Sequence, residues 1–247
     1  MFPPFLPAAA RLWLQILLVV WALLLFGGWA LGRPNAARTR RMPLWTRLGS
    51  SLVLALAAWT WAGLTATAPL AGASLPLALG MTCGLAADVV MAGEGKARKL
   101  GGILLFAANH ILYITALLRF AAAAGLDAGL PRALGLGLWW ALGLILIYFI
   151  LLRGQKWTIL HAAALPYGLL LATTAGLALS LGIQVAAFAP LALGAGLFVL
   201  SDLILAAAVL FGNLRLPFVH DIVWLTYGPA QMLIVYALGS MAGWLPA

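Results

Sequence analysis

Asp88 and Asp202 are two of only five acidic residues in a chain of 247, and each closes a long apolar run. The first run is Pro76-Leu-Ala-Leu-Gly-Met-Thr-Cys-Gly-Leu-Ala-Ala-Asp88. The second is Pro190-Leu-Ala-Leu-Gly-Ala-Gly-Leu-Phe-Val-Leu-Ser-Asp202. A carboxylate inside hydrocarbon costs about 2.5 kcal/mol or more, so such a residue is a candidate for function. Two carboxyls sharing one low-dielectric site do not both ionise. They divide into a proton donor and an anion. That pair suits transfer of a proton to a substrate, with electrostatic support for the cation that forms.

Further polar side chains lie at helical spacing within apolar segments. Asn109, His110 and Tyr113 fall on one helix face at i, i+1 and i+4, which predicts a wet cavity wall. Tyr227 and Gln231 form an i, i+4 pair around Gly228-Pro229, where a kink is expected to free backbone carbonyls toward a cavity. Ser201 precedes Asp202, and Tyr148 and Tyr167 are further candidate lining residues. The stripe Gly80–Gly84–Asp88 allows close helix approach and turns Asp88 into the bundle. His161 is placed at the interface and Asp221 at a helix start. Glu94 is expected to be solvated beside Lys96 and Arg98, and Asp127 to lie in a loop. Three His and one Cys give no zinc-ligand spacing. There is no nucleophile elbow, phosphate loop or dinucleotide motif either. No cofactor or metal is expected, and the acids are the best reactive groups.

The elements that must carry these residues are membrane helices. Hydrophobic residues make up 65% of the chain and charged residues 8%, against about 25% charged in a soluble domain. A span needs roughly 20 apolar residues. Eight are placed, at approximately 12–32, 50–71, 74–92, 100–124, 133–152, 157–180, 186–211 and 220–242. The second and third nearly fuse, so seven or nine spans also fit. The runs lack the alternation of a membrane barrel. The expected fold is therefore all-α: one polytopic bundle over residues 1–247.

The net charge of +9 sits in loops, which speaks against nucleic acid as a partner. Eleven of the fourteen Lys and Arg fall in alternate loops: Arg33, Arg38, Arg40, Arg41, Arg47, Lys96, Arg98, Lys99, Arg153, Lys156 and Arg215. The positive-inside rule puts these loops in the cytoplasm and both termini outside, in a bacterial style of inner-membrane topology. The cluster at 33–47 is read as a topology signal that touches anionic lipid headgroups. Met1–Ala10 has no basic residue, so the first span is expected to stay rather than be cleaved. Trp45, Trp139, Trp157 and Trp244 suit an interfacial belt. At an offset of 114, Asp88 matches Asp202 and Tyr113 matches Tyr227, with Pro and Gly matches between. This is the pattern of a parallel repeat of four spans plus four.

Buried acids and repeats fit an enzyme, a proton-coupled carrier or a lipid-binding scaffold alike. A resemblance separates them. Gly80-x7-Asp88, Asn109-His110-x2-Tyr113, Gly194-Ala-Gly-Leu-Phe-Val-Leu-Ser201-Asp202, Pro217-Phe218 and Tyr227-x3-Gln231 resemble the YhhN family over residues 50–242. The family usually has a Ser and a Gly-Asp pair where this chain has Cys83 and Ala87-Asp88. The resemblance implies a lysoplasmalogenase, which hydrolyses the vinyl ether of a lysoplasmalogen. Its products are a fatty aldehyde and a glycerophospho-ethanolamine or -choline. Asp88 and Asp202 would then be catalytic, with Asn109, His110, Tyr113, Ser201, Tyr227 and Gln231 around a lysophospholipid. Membrane lipids are the other implied partner.

Overall fold

A computed structural model describes residues 6–154, 156–212 and 214–245. Every regular element among them is helical. We number the eight long helices α1 (Ala8–Leu31), α2 (Leu44–Leu64), α3 (Ala71–Met91), α4 (Lys96–Ala123), α5 (Gly129–Ile147), α6 (Ile159–Gln184), α7 (Ala189–Ile204) and α8 (Val219–Trp244). The ends of α5 and α7 continue as π-turns, Tyr148–Leu152 and Leu205–Leu210. The expected all-α polytopic bundle is what forms. Seven helices are long and apolar enough to cross a membrane.

The exception is α2, which differs most from expectation. It begins at Leu44 and ends at Leu64, where sequence placed a span at 50–71. Pro43 opens the helix, since its fixed φ suits a helix start. Thr46, Arg47, Ser50 and Ser51 then fill its first turns. Those residues lower the local hydropathy, yet all four are buried. They face protein, not lipid.

Six helices close a ring in which α2 packs on α3, α3 on α4, α4 on α6, α6 on α7, α7 on α8, and α8 back on α2. Helices α1 and α5 lie outside it, against α2 and α6 respectively. Small residues set the crossings. A Cβ on Gly80 would meet the Tyr113 ring at 2.7 Å, and one on Gly194 would meet Leu233 at 2.7 Å. A Cβ on Gly135 would run into the Gly176 carbonyl, so this glycine sets the approach of α5 to α6. The prolines Pro76, Pro166 and Pro229 lie within helices that run through them.

At one end of the ring, the loop after α1 is fastened to the start of α8. Phe218 N–H donates to the Arg38 carbonyl at 2.8 Å, and His220 N–H donates to the Thr39 carbonyl at 3.1 Å. The Asp221 carboxylate, in the first turn of α8, accepts from the backbone N–H of Arg41 at 2.6 Å and of Met42 at 3.0 Å. Asn35 holds the loop's own turn through the N–H groups of Thr39 and Arg40. This clasp positions Arg40 and the start of α2. Asp221 is buried, so its removal leaves two backbone donors unpaired. Asp221→Ala is expected to lower unfolding stability by about 1–3 kcal/mol, read as a fall in thermal midpoint in detergent. An unchanged midpoint would mean that the loop is held by other contacts.

Candidate active site

Inside the ring, at the end carrying the basic loops, lies a cavity of about 370 Å³. Asp88 of α3 and Asp202 of α7 both line it. Each carboxyl is held by hydroxyls from other helices. Asp88 Oδ2 accepts from Ser51 Oγ of α2 at 2.6 Å and from Tyr227 Oη of α8 at 3.1 Å. Asp202 Oδ2 accepts from Tyr167 Oη of α6. Neither Oδ1 has a donor among the described residues.

A chain of donors runs toward Asp88. Tyr113 Oη of α4 donates to Gln231 Oε1 at 2.7 Å, Gln231 Nε2 donates to Tyr227 Oη at 3.1 Å, and Tyr227 passes the polarity on. Each link leaves the next hydroxyl a better donor, and in a low dielectric such chains strengthen cooperatively. Gly84 makes room for it, since a Cβ there would sit 3.2 Å from Gln231 Nε2 and 3.4 Å from Tyr227 Oη. The stripe Gly80–Gly84–Asp88 thus turns one face of α3 to Tyr113, then to Gln231 and Tyr227.

Other candidates stand farther back. Ser201 lines the cavity and donates to the Val223 carbonyl at 3.2 Å. Asn109 and His110, expected on a cavity wall, are fully buried and line neither the cavity nor its apolar neighbour. Their face of α4 packs against α3 and α6. Asn109 Nδ2 donates to the Gly80 carbonyl at 2.7 Å. His110 Nδ1 lies 3.0 Å from Thr174 Oγ1, whose own proton goes to the Leu170 carbonyl. The Nδ1–H tautomer therefore fits, with the ring against Phe198 and Tyr167. Tyr148 is 54% exposed beside Phe149 and lines neither space. An aromatic in an apolar run reveals burial tendency but not the face it occupies, so sequence misplaced it.

Two residues escaped sequence reading. Ser51 supplies the hydroxyl nearest Asp88, from α2 rather than from the acid's own helix. Arg47, counted as a loop charge, is a buried cavity residue one helical turn from Ser51. Its guanidinium stacks over Trp224, 5.7 Å from the ring centre. The signal available was Arg47-x3-Ser51, which puts both side chains on one face. The repeat is also not obeyed by the hydrogen bonds. Tyr227 serves Asp88, but its counterpart Tyr113 serves Gln231, and Asp202 is held by Tyr167.

An apolar crevice of about 70 Å³ adjoins the cavity, lined by residues such as Ile103, Ile147, Leu171 and Leu203. Asp202, Met91, Phe106, Leu205 and Leu210 line both spaces. The polar cavity and the apolar crevice therefore meet at Asp202.

Fold and site together define a polytopic helical membrane protein with two carboxyls on one internal cavity. The YhhN family matches residues 43–238, from the start of α2 into α8, and the chain belongs to that family. No curated protein and no solved structure matches the chain.

Because Ser51 and Tyr227 converge on one oxygen, their removal is expected to be non-additive. Ser51→Ala and Tyr227→Phe should each cost about 1–3 kcal/mol. A double-variant cycle in thermal or denaturant unfolding should give a coupling above about 0.5 kcal/mol. Simple additivity would show that the two hydroxyls do not share Asp88.

Proposed function

We propose that this protein is an intramembrane hydrolase that cleaves the vinyl ether of a lysoplasmalogen, releasing a fatty aldehyde and a glycerophospho-ethanolamine or -choline. The observation that carries the reading is the junction at Asp202, where a cavity bearing two carboxyls meets an apolar crevice. A single-chain lipid has the same division. Its reactive bond lies between an acyl-like tail and a polar headgroup. With the tail entering between α4, α6 and α7, that bond comes to the carboxyls, and the headgroup lies toward Arg40, Arg47 and Lys99.

Asp202 acts as the acid. Tyr167 holds its Oδ2, leaving Oδ1 to carry the proton. Transfer of that proton to the distal alkene carbon leaves an oxocarbenium ion. Asp88, with donors from Ser51 and Tyr227, is the better-supported anion and stabilises this cation. Asp88 then takes a proton from the water that adds, forming a hemiacetal. The hemiacetal collapses as its hydroxyl proton is lost and the glycerol oxygen is protonated and leaves. One water is consumed, and both carboxyls return to their starting states. A positioned general acid of this kind contributes about 10²–10⁴ in rate.

The basic loops face the cytoplasm in this reading, with both termini opposite. The headgroup therefore approaches from the cytoplasmic leaflet of a bacterial inner membrane.

Purified protein in detergent is expected to release aldehyde from lysoplasmalogen. Asp88→Asn and Asp202→Asn should each lower that release by about 100-fold or more, without loss of the folded state by thermal unfolding. Wild-type rates in either variant, or no aldehyde from the wild type, would contradict the proposal.

A further inference from the structure

Arg47 is 7% exposed, yet its guanidinium makes no hydrogen bond or ion pair with any described residue, and its Nε is buried without a partner. A buried cation in that position carries a desolvation cost that no hydrogen bond or ion pair among the described residues offsets. No acid reaches ion-pair distance of it among the described residues. The side chain is nevertheless held in place. It lies over the Trp224 ring, an arrangement that suits arginine's flat, weakly hydrated head. It lines the same cavity as both carboxyls. Arg40, Lys99 and His220 line that cavity too, with the carboxyls of Asp88, Asp202 and Glu94. Lys99 already donates to the Val209 carbonyl at 3.0 Å, and Arg40 is exposed, so Arg47 is the buried cation with donors to spare.

The helical register places this cation relative to the acids. Arg47 and Ser51 are one turn apart on α2, and Trp224 and Tyr227 are about one turn apart on α8. Ser51 and Tyr227 hold Asp88. The Arg47–Trp224 layer therefore lies one turn, roughly 5 Å, toward the basic end from the Asp88 layer.

We infer that Arg47 is an anion subsite, built to take the phosphate ester of a single-chain lipid through paired N–H donors while the chain runs toward Asp202. A guanidinium presents such donors in a fork that matches phosphate. The inference rests on the proposed reading in choosing a lysolipid as occupant. It concerns binding alone, so the two can fail separately.

The test uses ligands that cannot be hydrolysed. Binding of a saturated 1-O-alkyl-glycerophosphoethanolamine and of the matching 1-O-alkylglycerol is measured on the whole purified protein in detergent. The wild type is expected to prefer the phosphorylated lipid by roughly 10–100-fold, the value of a buried charge-assisted contact. That preference should shrink as salt rises. In Arg47→Met it should collapse to within about threefold, and Arg47→Lys should recover only part of it because the fork is lost. If Arg47→Met fails to fold, the Lys variant and the wild-type salt series carry the test. Inorganic phosphate at matched concentration should not displace the lipid. Equal wild-type affinities, a preference kept in Arg47→Met, or displacement by phosphate alone would overturn the assignment. Absence of aldehyde release would overturn the hydrolase and leave this result standing.

Discussion

Two carboxyls sit in the low-dielectric interior of a helix ring with no cation in ion-pair contact, and the surrounding structure answers that constraint. Burying such groups is costly unless hydrogen bonds replace water. Here the replacements are hydroxyls, each delivered by a different helix: Ser51 from α2, Tyr227 from α8 and Tyr167 from α6. With Asp88 on α3, Asp202 on α7 and Tyr113 on α4, every helix of the ring contributes at least one polar group. Separating α2 or α8 from α3, or α6 from α7, would remove a partner from an acid. That gives the close contacts at Gly80 and Gly84 a purpose beyond packing, because they bring Tyr113, Gln231 and Tyr227 against α3.

The cavity is graded along its length. The basic end carries Arg40, Arg47 and Lys99, the middle holds the carboxyls, and the far side opens into an apolar crevice at Asp202. Polarity thus falls from the loops toward the lipid-facing helices. A molecule with a charged head, a reactive middle and a greasy tail matches that gradient in one orientation only. The Asp221 clasp keeps the loop after α1 over the basic end, so the gradient also depends on a buried acid that does not line the cavity.

The sequence disclosed the parts of this arrangement that carry a visible cost. Asp88 and Asp202 stood out because few acids occur in such apolar runs, and Tyr227 and Gln231 because their spacing shares a face. The positions of seven helices also followed from apolar length. Ser51 was silent, since a serine in a membrane helix satisfies itself on the backbone without penalty and so gives no sign of a distant partner. Arg47 was read as a loop charge because hydropathy blurred the start of α2. Asn109 and His110 do share a face, but periodicity does not say whether that face meets a cavity or another helix. The offset of 114 between the two halves suggested equivalent acid sites, whereas their hydrogen-bond partners differ.

The proposed reaction requires Asp88 and Asp202 to act as a unit. Its most direct test is the kinetics of Asp88→Asn, Asp202→Asn and the double variant on lysoplasmalogen. Groups that act together are strongly non-additive, so the double variant should be no slower than the worse single by more than a few-fold. A double variant whose loss equals the product of the two single losses would mean that the acids act independently, and the account would fail.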